Sequence, residues 1–199
     1  LDKEKGGYKG APKFPIFNVY DTLLYFFTKT KNFNYIEPVE LILKQLCSQG
    51  IYDHVEGGLS RYTVDENWLI PHFEKMLYDN AQFVLLISKF LKINKNNYFE
   101  KKAIQTIEFI NKNFLNQENN LLGSAYDADS DGEEGKYYVF NHNELKGIKD
   151  IEQYFNVKPD GNWENKIILS EIKPPPESVV TKLKDLRKKK NKPFFDNKI

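Results

Sequence analysis

The side chains that could do chemistry are concentrated between Gly50 and Ala81. This stretch holds two of the three histidines, one of the two tryptophans and the only methionine of the 199-residue chain. It also holds Arg61, one of two arginines among 29 basic residues. Lysine cannot reproduce the planar fork of donors that a guanidinium group offers. We therefore expect Arg61 to clamp a substrate hydroxyl or carboxylate; the alternative is a chance concentration of rare residue types.

A helix predicted from Pro71 to Leu91 would place His72, Lys75 and Asp79 on one face, because residues three, four and seven apart share a helical face. An imidazole titrates near neutral pH, so His72 is predicted to be a general acid or base. In the first helical turn, the helix dipole would keep it neutral. The same segment supplies three substrate-binding candidates, Glu74, Tyr78 and Asp79. The alternative is a structural polar network that ties the loop to the helix.

The acidic run between Ala125 and Lys136 has three interpretations. Asp127 and Asp129 alternate along an extended segment, so their carboxylates would face one way and could act on a sugar as acid and base. A calcium loop is the second interpretation, but its twelfth position, which should be glutamate, is Tyr138. A solvated turn is the third. We predict Asp127 and Asp129 as catalytic partners of His72, with no metal and no cofactor.

Aromatic side chains of the same regions could stack on the apolar face of a sugar ring. Tyr62 and Trp68 are predicted to bind substrate in this way, and Trp68 lies four residues before His72. The alternative is that these rings fill space between helices.

The composition limits the class of protein. A formal net charge of +1 gives no general attraction to nucleic acid or to acidic membranes, and the basic segment Lys182 to Lys192 is predicted to be a solvated face. The single cysteine, Cys47, excludes an internal disulfide and is predicted to be a small core residue. No apolar run approaches the roughly 20 residues that span a bilayer. We expect a soluble, cytoplasmic protein that binds neither nucleic acid nor membranes.

Hydrophobic periodicity predicts a mostly helical chain. The predicted helices are Asn18 to Thr30, Pro38 to Gly50, Pro71 to Leu91, Tyr98 to Phe114, a short one at Asp150 to Phe155 and a charged one at Glu177 to Lys190. Gly50 should occupy the C′ position after the second helix. Two short strands, Leu121 to Tyr126 and Lys136 to Phe140, predict a hairpin with an acidic tip. Repeated helix pairs with long loops at one end favour an α/α toroid over a solenoid.

Four sequence blocks resemble successive signatures of the spermatogenesis-associated, thioredoxin-domain-containing proteins, whose bacterial members are called YyaL-like. They are GGYKGAPKFP, GIYDHVEGGLSRYTVDENWLIPHFEKMLYDNAQ, AYDADSDGEEGKYYVF and KPFFDNKI. The resemblance implies an α/α six-hairpin toroid, similar to N-acylglucosamine 2-epimerase and to the six-hairpin glycosidases. It also implies that residues 1–199 form one partial domain, the first half of the toroid, with a thioredoxin-like domain before it and the other hairpins after it.

Three functions fit these observations. The first is an enzyme that moves protons on a sugar or a sugar-like carbonyl compound, in the manner of an epimerase or isomerase. The second is a non-catalytic binding or scaffold module that works with the thioredoxin-like domain. The third is a glycoside hydrolase that uses the two aspartates. Fold transfers between relatives more safely than function does, so the sequence leaves all three open.

Overall fold

A computed structural model describes residues 1–117 and 119–198 of the chain. About 40% of the chain is helical, and its strands are few and short. The α-helices are α1 (Phe17–Thr30), α2 (Glu37–Ser48), α3 (Leu77–Leu91), α4 (Asn97–Asn113), α5 (His142–Leu145) and α6 (Glu177–Arg187). Short 3-10 helices cover Phe33–Tyr35 and Ile151–Gln153. The mostly helical fold predicted from hydrophobic periodicity is thus confirmed.

The four long helices bury one apolar face each in a common core. In α2, the buried residues Val39, Ile42, Leu43, Leu46 and Cys47 recur at helical spacing. α3 packs most extensively against α4, and it also contacts α1. The predicted core position of Cys47 is confirmed, and burial raises the pKa of its thiol to about 12.

α3 begins at Leu77, so the predicted start at Pro71 is wrong. Residues 71–76 alternate between buried and more exposed side chains, which is the period of a strand and not of a helix. His72, Lys75 and Asp79 therefore do not share a helical face. The predicted effect of a helix dipole on His72 is wrong for the same reason.

All strand pairs are antiparallel. The strands are β1 (Tyr62–Thr63), β2 (Pro71–His72), β3 (Lys75–Met76), β4 (Ala125–Tyr126), β5 (Asp129–Ser130), β6 (Glu133–Glu134) and β7 (Phe195–Asp196). β1 pairs with β2, β5 pairs with β6, and β4 lies between β3 and β7. The middle sheet ties the start of α3 to the acidic region and to the end of the described chain.

The predicted hairpin is shorter than expected and pairs differently. Lys136 to Phe140 forms no strand, and β4 pairs with β3 and β7 instead. The acidic hairpin is β5–β6, with Asp131 and Gly132 at its tip at φ values of 53° and 73°. Two successive left-handed residues are the requirement of a type I′ turn, which explains the Asp-Gly pair.

Gly50 does not act as a left-handed residue after α2, because its φ is not positive. A Cβ atom at this position would instead collide with the carbonyl oxygen of Leu69. Glycine thus allows the two ends of the Gly50 to Ile70 loop to approach each other closely, and the backbone N–H of Ile51 donates to the Trp68 carbonyl at 3.0 Å.

Within the described ranges, no helix combines the length and the apolar character needed to cross a bilayer.

Candidate functional site

A stack of three rings fixes the plane of the His72 imidazole. The β1–β2 register places Tyr62 opposite His72, and their ring centroids lie 5.0 Å apart in a stacked arrangement. Phe14 stacks on Tyr62 with a centroid distance of 4.6 Å. Cross-strand ring pairs of this kind stabilise a short ribbon and restrict ring rotation.

Two carboxylates flank the imidazole. Nδ1 of His72 lies 2.8 Å from Oε1 of Glu134, which β6 of the acidic hairpin supplies. Nε2 lies 3.9 Å from Oε2 of Glu74. The same Glu74 oxygen accepts a 2.9 Å hydrogen bond from Nη1 of Arg61. The side chains of His72 and Arg61 are 31% and 42% exposed, so a ligand can reach both.

Asp79 completes this group of side chains from the first turn of α3. Burial raises the pKa of its carboxyl to about 7; Arg61 opposes the shift and Glu74 adds to it. The pKa of Arg61 is raised, chiefly by its hydrogen bond to Glu74, and Tyr78 contributes to the same shift. We call the following residues the Arg61 cluster: Arg61, Tyr62, His72, Glu74, Tyr78 and Asp79. They are six of the nine site residues predicted from the sequence.

Glu74 and Lys75 are neighbours in the chain but lie in different environments, because successive side chains of an extended segment point in opposite directions. Glu74 points towards the Arg61 cluster, whereas Lys75, the next residue, is 1% exposed and points inward. The backbone N–H of Arg61 also donates to the Glu74 carbonyl at 2.9 Å, which fixes the two side chains next to each other.

Trp68 lies outside the cluster, in the hydrophobic core. Its side chain is fully buried, and its Nε1 donates a 2.8 Å hydrogen bond to the carbonyl oxygen of Lys5. Gly7 makes room for it, since a Cβ there would lie 2.7 Å from the indole ring. The predicted sugar-stacking position is therefore wrong, because both ring faces are occupied by protein.

Asp127 and Asp129 are exposed and do not supply the carboxylate that contacts His72. Oδ1 of Asp127 accepts from the backbone N–H of Asp129 at 3.2 Å, as in an Asx turn. Asp129 pairs across the hairpin with Glu134, and it is Glu134 that reaches the imidazole. The hairpin thus meets His72 through Glu134, and catalytic roles for the two aspartates stay predictions.

A buried ionic group beneath the Arg61 cluster was not predicted from the sequence. The Asp53 carboxylate accepts hydrogen bonds from Lys75 at 2.8 Å and from Arg187 at 2.6 and 2.7 Å. Arg187 is 3% exposed, so this part of the basic segment is not a solvated face. Despite the burial of Asp53, its two cations hold its pKa well below the usual range. Arginine is rare in this lysine-rich chain, and its rarity could have indicated a special role for Arg187 as well as for Arg61.

A second buried network joins His54, Lys102 and Glu171. Nζ of Lys102 lies 2.8 Å from Oε2 of Glu171 and 3.2 Å from Nδ1 of His54. Burial, followed by the charge of Lys102, lowers the pKa of His54. His54 is therefore a structural, neutral imidazole here, and the network fastens the segment around Glu171 to α4.

The described residues contain no group of three or more histidine, cysteine or acidic side chains placed to hold a metal ion. The calcium-loop pattern is also occupied by protein partners, because Asp131 pairs with Lys136 at 3.2 Å and with Asn191 at 2.9 Å.

No family model matches the chain. Several curated proteins, however, are similar to the chain in sequence. Spermatogenesis-associated protein 20 of Mus musculus is 33% identical over 157 residues, which are 74% of this chain and 20% of that protein. The protein of the same name from Rattus norvegicus is 35% identical over 138 residues, 67% of this chain and 17% of that protein. The chain belongs to the spermatogenesis-associated protein 20 family. An uncharacterized Caenorhabditis elegans protein is 30% identical over 185 residues, 81% of this chain and 25% of that protein.

The chain thus spans about a fifth of the length of the curated relatives that it matches. Among solved structures, it is similar to a family 76 glycoside hydrolase from a bovine Bacteroides thetaiotaomicron strain, with a TM-score of 0.50 and 11% identity. That match covers 87% of this chain and 34% of the hydrolase. At this identity the likeness concerns the fold alone. It confirms the six-hairpin toroid class for this segment of the spermatogenesis-associated protein 20 family.

Proposed function

We propose that this chain contributes the proton-transfer site of an enzyme that acts on a sugar or a sugar-like carbonyl compound. The observation that carries the proposal is the setting of His72. Its imidazole is stacked on Tyr62, hydrogen-bonded to Glu134 and accessible beside Arg61. A fixed, partly exposed imidazole with a carboxylate on one nitrogen is suited to take and return a proton at the other nitrogen.

The other members of the Arg61 cluster supply binding. Arg61 presents donors next to the imidazole, and these suit vicinal hydroxyls or a carboxylate. Tyr78, whose side chain is exposed, adds a hydroxyl and an apolar face. The family resemblance also leads us to expect a thioredoxin-like domain in the same polypeptide as a partner of this segment.

Hydrogen exchange into the sugar tests this proposal whatever the product is. In D2O, a base that removes the proton next to a carbonyl returns deuterium to that carbon. We expect the wild-type protein to deuterate a member of a panel of reducing aldoses and N-acylated hexosamines, detected by NMR. His72→Ala should slow the exchange by about 10²–10⁴-fold, the usual contribution of a general acid or base. The melting temperature should barely change, because a partly exposed histidine contributes little packing.

The matched control is His142→Ala, which removes a partly buried histidine of α5 outside the cluster. It should leave the exchange rate unchanged. Binding of a sugar by the wild type with no exchange would contradict the catalytic proposal and support the non-catalytic binding module instead.

Glycoside hydrolysis is the second candidate. A solved structure that shares the fold is a glycoside hydrolase, and Glu74 and Glu134 place two carboxylates on either side of His72. Release of p-nitrophenol from aryl glycosides, lost on replacing either glutamate with glutamine, would support this candidate over the first.

A further inference from the structure

Asp79 has an unusual environment within the Arg61 cluster. The residue is 9% exposed, and its Oδ2 has no hydrogen-bond partner among the described residues. A buried carboxylate oxygen without a partner is costly, because desolvation penalises the charge unless a donor compensates for it. Burial at this position therefore favours the neutral acid over the carboxylate.

Asn80, the next residue, has a clear structural role, because its side-chain oxygen and nitrogen both form hydrogen bonds. It is fully buried, its Oδ1 accepts from the Leu59 N–H at 2.7 Å, and its Nδ2 donates to the carbonyls of Leu59 and Met76. The loop is thus fastened to α3 by Asn80. A purely structural role for Asp79 leaves its free oxygen unexplained.

The charges that face Asp79 come from two directions. Arg61 opposes protonation but already donates to Glu74, whereas the negative charge of Glu74 favours protonation. Burial outweighs the effect of Arg61 and, together with Glu74, raises the pKa of Asp79 to about 7. The Asp79 carboxyl is thus partly protonated close to physiological pH, and it belongs to the same cluster as the His72 imidazole, to which it is linked through Glu74 and Arg61.

We propose that Asp79 is the acid of this site and donates a proton from its carboxyl group to the carbonyl oxygen of the bound sugar. This inference rests on the proposed function. His72 takes the proton from the carbon next to the carbonyl, and the electrons of that C–H bond form a carbon–carbon double bond. The carbonyl π electrons take the proton of Asp79, which gives an Asp79 carboxylate and an enol, or an enediol where the neighbouring carbon carries a hydroxyl. Return of both protons regenerates the enzyme and yields the starting sugar or its epimer.

The carboxyl titration tests the acid directly. With ¹³C-labelled aspartate, the Asp79 resonance, assigned by its loss in Asp79→Asn, should titrate near pH 7. Titration near the ordinary aspartate value of about 4 would overturn the proposal.

The stability of Asp79→Asn gives a second readout. Because the folded-state pKa of Asp79 is raised, its contribution to stability is present at low pH and is lost as pH rises towards 7. The variant is always neutral, so its melting temperature relative to wild type should increase between pH 4 and pH 7 and then level off. A constant difference across this range would contradict the assignment.

The exchange assay separates this inference from the proposed function. Asparagine keeps a hydrogen-bond donor but cannot transfer a proton, so Asp79→Asn should bind the sugar and exchange deuterium about 10²–10⁴-fold more slowly. Wild-type exchange in Asp79→Asn, together with loss of exchange in His72→Ala, would overturn the role of Asp79 alone. No exchange in the wild-type protein would overturn the proposed function and, with it, the acid role.

Discussion

Replacing Asp53 with asparagine should lower the free energy of unfolding by about 3–5 kcal/mol, the usual cost of removing one partner from a buried ion pair. Asp53 is the anion between Lys75 and Arg187, and all three side chains are at most 4% exposed. Without it, two cations stay buried, and the nearest other carboxylate, that of Glu56, lies 3.7 Å from Arg187. Chemical denaturation of the variant and of the wild-type protein measures the loss.

Removing the Arg187 cation should lower the free energy of unfolding by less than removing the Asp53 anion. Arg187→Met leaves Asp53 paired with Lys75, so the remaining buried charges still balance. The matched control is Arg61→Met, which removes the other arginine from a half-exposed pair and should cost no more than about 1 kcal/mol. A loss for Asp53→Asn that does not exceed the loss for Arg187→Met would show that the buried anion is not what stabilises this junction.

The loss caused by Asp53→Asn should also depend on pH in a defined direction. The folded-state pKa of Asp53 is lowered, so its contribution is fully present above the ordinary aspartate value of about 4. This contribution of Asp53 to stability disappears as pH falls below that value. The difference between wild type and variant should therefore be constant at neutral pH and shrink in acid.

Replacing Trp68 with alanine should lower the free energy of unfolding by about 3–5 kcal/mol, as is typical when a large buried aromatic side chain is removed. The indole is fully buried and ties the N-terminal segment to the loop through its hydrogen bond to Lys5. The variant would lose the packing and would also leave the Lys5 carbonyl without this donor. Thermal and chemical denaturation measure both effects together.

Tyr62→Ala is the matched control for Trp68, since both aromatic residues were predicted from sequence to bind a sugar. Tyr62 is only partly buried, and its ring stacks on Phe14 and His72. We expect its removal to affect stability less and ligand binding more. Similar stability losses in the two variants would contradict the distinction between a core tryptophan and a surface tyrosine.

The sequence predicted the helices well because helix formation follows a local pattern. In α1, α2 and α4, apolar residues recur with the period of a helix, and the observed bounds lie within a few residues of the predicted ones. The helix start predicted at Pro71, on the ground that proline can open a helix, is wrong, because α3 begins at Leu77. Pro71, Phe73 and Lys75 are buried at alternate positions, as in a strand. Sequence patterns assign lysine to the surface, so the inward position of Lys75 could not be predicted. The alternating pattern that predicts a strand was therefore missed, because the charged Lys75 occupies one of its inward positions.

By itself, the sequence determined the family, the helical class and the identity of the residues in the Arg61 cluster, because rare residue types and signature blocks are visible in one dimension. Only the tertiary structure decided which partners meet. Glu134 reaches His72 across 62 residues, and Arg187 reaches Asp53 across 134. Such contacts depend on how the helix pairs and the acidic hairpin pack. Local periodicity carries no information about this packing, so only the folded chain could show that Arg187 is buried while Arg61 is open to a ligand.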